Sequence, residues 1–201
     1  MAKVALNKSS LKNQKDQKDT YQKFLPSLDL KKQQLQGEAG KARRMLSEQK
    51  QRLVQYQAQI DDWVALLGDT SVQLHGLVRL KGWETRNENV AGVILPVLGE
   101  INFVVHPYTT LGAPLWFDNL VESLQEIARM TLQVKILEER VEKLDAALKK
   151  VTQRINLFEK VLIPECQKNI RMIKIYLEDK ARTAVARSKI AKSKLTAKSS
   201  Y

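Results

Sequence analysis

The chain holds one cysteine, Cys166, among 201 residues, so no disulfide can close within it. Cys166 continues an apolar periodicity, the setting of a small buried thiol, and such sparse usage fits a reducing compartment. Aromatic residues make up only 6%. That excludes a thick aromatic core and is the composition of long helices. Glycine and proline are scarce except in one stretch: six of eight glycines and three of five prolines fall within 68–114. No apolar run reaches the ~18–20 residues that cross a bilayer. The longest, Val90–Leu98, is interrupted by Gly92 and Pro96. Met1–Lys8 lacks the apolar segment of a signal peptide. A soluble, largely helical protein is expected.

Sites for chemistry are also missing. The only histidines are His75 and His106, and neither has a Cys, Asp or Glu at ligand spacing, so no metal is expected. Gly37-Glu38-Ala39-Gly40-Lys41 superficially resembles a phosphate loop. It has two residues between the glycines instead of four, and Ala42 stands where a magnesium-binding hydroxyl belongs. Small residues allowing close helix approach are the better reading there. Glu138 and Glu139 read as solvated helix surface. No nucleophile–base set is present, so neither catalysis nor a cofactor is expected.

What is present is charge and periodicity. The formal net charge is +12, which calls for an acidic partner: nucleic acid, an anionic membrane surface or an acidic protein socket. After Asp179 there is no acid at all, while Lys180, Arg182, Arg187, Lys189, Lys192, Lys194 and Lys198 follow.

Two apolar registers alternate steps of three and four, the mark of a coiled-coil seam. The first runs through Leu11, Gln14, Lys18, Tyr21, Leu25, Leu28, Lys32, Leu35, Ala39, Ala42, Leu46, Gln49, Leu53, Tyr56, Ile60, Trp63 and Leu67. Ser9 or Ser10 is the expected N-cap and Gly68 the stop. The polar members Gln14, Lys18, Lys32 and Gln49 weaken a seam but set its register. Pro26 lies inside this helix and costs ~3 kcal/mol there. The second register starts at Leu120, Leu124 and Ile127 and passes Thr131. It continues through Val134, Leu137, Val141, Leu144, Leu148, Val151, Ile155, Phe158 and Leu162. Leu162 to Cys166 to Ile170 makes two consecutive steps of four, a stutter that unwinds a supercoil, and Pro164 lies inside it.

Between the seams, apolar residues alternate by two at Ile101, Phe103 and Val105, and less cleanly at Val78 and Leu80. Asn87-Glu88-Asn89 looks like a turn, and His106–Pro114 like a loop. A small β-hairpin or three short strands is expected, too small to stand alone. The division is therefore 1–67, an N-terminal coiled-coil helix; 68–114, a β-containing insertion; and 115–201, a C-terminal coiled-coil helix with a basic tip. The fold class is mainly α: a long antiparallel two-helix coiled coil with a small central β-hairpin insertion. Pairing the seams puts Pro164 opposite about residue 22 and Pro26 opposite about residue 160, so both prolines would share one joint.

Thr152, Arg154, Asn156 and Glu159, with Ile163-Pro164 and then Ile170, Ile173, Leu177, Arg182, Arg187 and Lys189, resemble the C-terminal signature of the D subunits of V-type ATPases and ATP synthases. Asn89–Pro96 resembles that family's central insertion. The resemblance implies a non-catalytic central rotor shaft that transmits torque between a hexamer of A and B subunits and the membrane ion-translocating rotor. It implies F and C subunits as further partners and a cytoplasmic place peripheral to the membrane. Neither direct nucleotide contact nor nucleic acid is implied. Partner-contact candidates are Arg182, Arg187, Lys189, Lys192 and Lys194; structural signature residues are Thr152, Arg154, Asn156, Glu159 and Pro164. The chain departs from the family pattern at Pro26 and at Ala181, Thr183, Val185 and Ala186. The alternatives are a general coiled-coil scaffold, or a basic coiled coil binding nucleic acid, which its tail supports with no motif beyond Tyr201.

Overall fold

A computed structural model describes residues 4–64, 77–106 and 116–198. Leu67, Gly68, His75, residues 107–115, which include most of the expected loop, and Tyr201 lie outside the described residues, as does the side chain of Trp63. The elements are α1 (Lys8–Val64), β1 (Val78–Val90), β2 (Val93–Val105), α2 (Phe117–Leu157), a π-turn (Phe158–Leu162) and α3 (Ile163–Lys198). Two compact units are distinguished. One is Lys32–Lys150; the other combines the chain up to Lys31 with the chain from Val151 onward.

The start of α1 corrects the expected cap. Asn7 Oδ1 accepts the Ser10 N–H at 2.6 Å, and the Asn7 carbonyl accepts the Leu11 N–H at 3.0 Å. Asn7 is the N-cap, and Ser9 and Ser10 sit inside the first turn. An asparagine caps as well as a serine does, so residue type could not separate the three positions.

In the unit Lys32–Lys150, α1 and α2 run antiparallel. Arg43 pairs with Asp145 and Lys50 with Glu138, each at 2.6 Å. Carboxylate and guanidinium hold the Arg43 charge firmly: its pKa is raised, first by the hydrogen bond from its side chain to Asp145 and then by that carboxylate's charge. Such exposed pairs orient the helices more than they stabilise them. Stability comes from the seam. Leu35 and Leu144 are fully buried, Ala39, Ala42 and Ile60 nearly so, and Leu46, Val141 and Leu148 half-buried. Leu46 and Val141 line one surface hollow. Cysteines placed at these two positions are expected to crosslink within one chain. Crosslinks formed only between chains, seen on a denaturing gel, would contradict the hairpin.

The glycines in this part of α1 are not the close-approach residues the sequence suggests. A Cβ at Gly37 or Gly40 would meet nothing within 4 Å; the alanines Ala39 and Ala42 occupy the buried positions. Gly40→Ala should therefore stabilise the helix by about 1 kcal/mol, read as a rise in the urea midpoint.

Among the described residues the insertion forms one two-stranded antiparallel hairpin. Its turn is Ala91–Gly92, both at positive φ (50° and 78°), and Val90 pairs with Val93. Two positive φ values in a two-residue loop match the twist of the flanking strands. The expected turn at Asn87–Asn89 is thus corrected: those residues belong to β1. Asn89 contributes differently, its Oδ1 accepting the Gly92 N–H at 3.0 Å. Ile101, Phe103 and Val105 are half-buried while Asn102 and Val104 are exposed, which keeps the alternation. Register slips between Trp83 and Thr85. There a Cβ at Gly99 would stand 3.0 Å from the Glu84 carbonyl oxygen, a contact so tight that the Glu84 backbone would have to shift by a few tenths of an ångström.

The hairpin packs on α2. Leu77, Phe117 and Val121 form a buried cluster with Val78, Val105, Trp116 and Leu124. Farther along, Arg140 donates to Glu88 at 2.8 Å. This second contact explains a miss in the seam. Thr131 is exposed, whereas Leu132 beside it is buried. Over this stretch α2 buries a second stripe, Val121, Leu132 and Ile136, which a single-seam reading does not anticipate.

The other unit repeats the antiparallel arrangement. Asn169 Nδ2 donates to Gln14 Oε1 at 3.2 Å in a partly buried position, and Tyr21 lies against Phe158 with ring centroids 5.1 Å apart. Gln14 is one of the polar seam members, and this bond satisfies its amide while fixing register. Ile155, Ile163, Cys166 and Ile173 are the buried residues of this seam.

Candidate partner interface

Pro164 has no N–H to give the Lys160 carbonyl, the usual i−4 partner in a helix. The chain answers with a π-turn just before it. The Ile163 N–H donates to the carbonyl of Phe158, five residues back instead of four. A π-turn holds one more residue than an α-turn, so the stutter is taken up locally. Ile163 becomes buried in its wake, beside half-buried Leu162. The expected unwinding over Phe158–Cys166 is present in this form.

The expected common joint is not. Tyr21 meets Phe158, so along the antiparallel pair Pro164 lies on one side of that contact and Pro26 on the other. By that contact Pro164 lies level with about residue 15, and by the Asn169–Gln14 bond with about residue 19, so roughly seven to eleven residues of helix, about 10–16 Å at ~1.5 Å per residue, separate the two prolines. The seam spacing does not fix the axial offset of the two helices, and the one residue that the π-turn adds is too few to account for the difference. Pro26 has no π-turn beside it; α1 passes through it as α-helix. Pro26→Ala should therefore stabilise the protein, by up to ~3 kcal/mol. Pro164→Ala should gain less, since its missing bond is already absorbed. Thermal melts of the two variants give the comparison.

The signature residues lie around this turn. Thr152 is half-buried; Arg154, Asn156, Glu159 and Pro164 are exposed. Four of the five therefore face solvent and contribute no packing to the seam. Cys166 is buried, and desolvation first, then the charge of Glu165, pushes its thiol pKa up. It is a packing residue, and its raised pKa keeps it as the unreactive thiol.

Beyond Leu177 every side chain through Leu195 is exposed. Arg182, Arg187, Lys189, Lys192 and Lys194 all project from this end of α3, and Val185, Ile190 and Leu195 are 55%, 56% and 69% exposed. Three hydroxyls turn into the helix itself: Thr183 to the Asp179 carbonyl, Ser188 to that of Val185 and Ser193 to that of Ile190. Charge is segregated as well. The unit containing the tip holds 19 Lys and Arg against 7 Asp and Glu, and the Lys32–Lys150 unit holds 15 against 15. The whole net charge of +12 thus resides in one unit. The sequence reading placed the basic tip but missed this balance. It also missed the exposed apolar residues Val161, Met172 and Tyr176 on α3, whose signal was a single-face spacing with Lys168 between them.

Among the described residues no three His, Cys, Asp or Glu side chains group as a metal site. Nor, among the described residues, is any helix long and apolar enough to cross a membrane. Fold and surface together define a coiled-coil contact protein, with a β-hairpin insertion and one strongly basic unit. Comparison with known proteins gives the family. The family of ATP synthase D subunits matches residues 10–193. The D subunit of the V-type ATP synthase of Borreliella burgdorferi is 34% identical over 198 residues, 98% of each chain. The protein of the same name from Chlamydia pneumoniae is 32% identical over 197 residues, covering 96% of this chain and 93% of its own. That of Chlamydia muridarum is 31% identical over 199 residues, covering 96% and 97%. The chain belongs to the family of ATP synthase D subunits.

Proposed function

We propose that this chain is the central-stalk rotor subunit of a V-type ATP synthase, not catalytic by itself, and that it passes torque between a nucleotide-binding hexamer and a membrane ion-translocating rotor. The observation that carries this reading is the family match over residues 10–193, on a chain whose described seam positions are buried or half-buried apart from Thr131. Torque needs a stiff element, and two helices packed along a common seam resist bending and twisting far better than one. The basic end of α3 is the part that contacts the hexamer of A and B subunits, through Arg182, Arg187, Lys189, Lys192 and Lys194. Thr152, Arg154, Asn156, Glu159 and Pro164 shape the turn that precedes it. The F and C subunits meet the chain elsewhere. The protein resides on the cytoplasmic side and reaches the membrane only through the complex. It binds neither nucleotide nor nucleic acid directly. The division at residues 1–67, 68–114 and 115–201 gives two helical arms for torque and an insertion for regulation or docking.

An affinity-tagged chain purified from membranes tests this. It should bring down a nucleotide-hydrolysing hexamer in fixed stoichiometry, and a bead on the chain should rotate when ATP is added. Recovery of the chain alone, as a homo-oligomer, would refute the reading.

A further inference from the structure

Alongside its seam, α3 carries an exposed row on one face. Val161, Lys168, Met172 and Tyr176 follow each other at spacings of seven, four and four, which keeps them on one side of a helix. Val161 is 50% exposed, Met172 45% and Tyr176 43%. Apolar side chains of this size in a row, half open to water, are not core packing. Beside them the chain preceding α1 lies against α3. Leu6, Val161, Pro164 and Met172, with Lys160 and Lys168, line a groove of about 650 Å³. One acid, Glu165, and the Asn169 amide also line it. The groove is mostly apolar and large enough for one or two bulky side chains.

We propose that this groove is a docking site, separate from the basic tip, for an acidic segment of a partner protein that inserts a bulky apolar side chain. The charge balance selects the partner. The unit that contains the groove carries 19 basic against 7 acidic residues. Seven of those cations lie beyond Asp179, farther from the groove than the ~8 Å screening length at physiological salt; at the groove itself Lys160 and Lys168 stand against Glu165 alone, and this local excess attracts an acidic partner and fixes its orientation. The apolar floor supplies the short-range contact that a charged helix surface lacks. A lipid surface fits less well. Membrane-lying helices need a broad apolar face, whereas this row is one residue wide, concave beside Leu6, and contains Glu165. The inference rests on the rotor reading, which makes the A/B hexamer the partner that carries the acidic segment.

The test is a binding titration of the full-length chain against purified hexamer, with three pairs of substitutions. Val161→Glu with Met172→Glu should weaken binding at least tenfold. It should leave the melting temperature of the free chain unchanged, because both side chains are already half-exposed. The milder pair Val161→Thr with Met172→Gln adds no charge and should move affinity in the same direction, which guards against a folding defect. Lys160→Glu with Lys168→Glu should weaken binding and flatten its dependence on salt. Unchanged affinity for all three pairs, with normal wild-type binding, overturns the docking site alone. A wild-type chain that does not bind the hexamer overturns the rotor reading and this inference with it. Loss of binding to phosphatidylglycerol vesicles in place of loss of hexamer binding would assign the groove to lipid and overturn the protein partner.

Discussion

Truncation before Arg182 should uncouple the complex and leave the isolated subunit folded. Every described side chain from Arg182 to Leu195 is exposed, and the apolar ones, Val185, Ile190 and Leu195, are more than half so. Removing them takes little apolar surface back into water, because little was withdrawn from it. The melting temperature should shift by no more than about 2 °C, which for a chain of this size is under ~1 kcal/mol. Binding to the hexamer should weaken by an order of magnitude or more, at least ~1.4 kcal/mol, and ATP-driven rotation should stop or slip. The charges explain the difference. Five of the residues removed are the candidate contacts, and no acid lies among them to balance the tip. A melting temperature that falls by ten degrees would show that the tip packs against the seam. Rotation that survives truncation would remove it from torque transmission.

Leu144→Ala should be among the most damaging single changes to stability. Leu144 is fully buried, as is Leu35 on α1. Truncating such a side chain removes its transfer energy and leaves a cavity that neighbouring helices close only in part, at a cost of about 2–5 kcal/mol. The native state has only about 5–15 kcal/mol to lose, so the variant should unfold at a much lower urea concentration. Leu157→Ala gives the contrast. Leu157 is 46% exposed, and its removal should cost well under 1 kcal/mol, within the range of ordinary surface changes. Equal losses for the two would mean that the α2 seam does not face α1 at Leu144.

Much of this was legible from residue order. A helix presents a fixed face every three and four residues, so the seam positions Leu35, Ala39, Ala42, Leu144 and Ile155 could be named before any coordinates, and all are buried. Even the polar members Gln14, Lys18, Lys32 and Gln49 fall at half-buried places in that register. The hairpin's alternation at Ile101, Phe103 and Val105 came from the strand period of two by the same logic. The candidate contact residues stood out differently. Arg182 to Lys194 stood out because acids were missing there, and an exposed helix end has no other force acting on its composition.

Other features could not be read that way. Asn7 instead of Ser9 or Ser10 as the cap, and Ala91–Gly92 instead of Asn87–Asn89 as the turn, each depended on choosing among neighbours of equal propensity. Backbone hydrogen bonds, such as that from Ser10 to Asn7, made those choices. The second stripe of α2, with Leu132 in place of Thr131, required knowing that a hairpin lies on that face.

Sequence periodicity by itself determined that two long helices pair along one seam, because burying an apolar stripe is the dominant favourable term and the stripe is written in the spacing. Only the tertiary structure decided how the helices accommodate Pro164 and where they meet around it. A proline withdraws one donor, but the chain can respond by kinking, breaking or widening a turn, and these differ little in local energy. Packing chose among them: the π-turn at Phe158–Leu162 lets Ile163, Cys166 and Ile173 remain buried while Tyr21 lies against Phe158. The two prolines stand at separate levels because of where the helices meet, an axial offset that no count of residues along the chain could have shown.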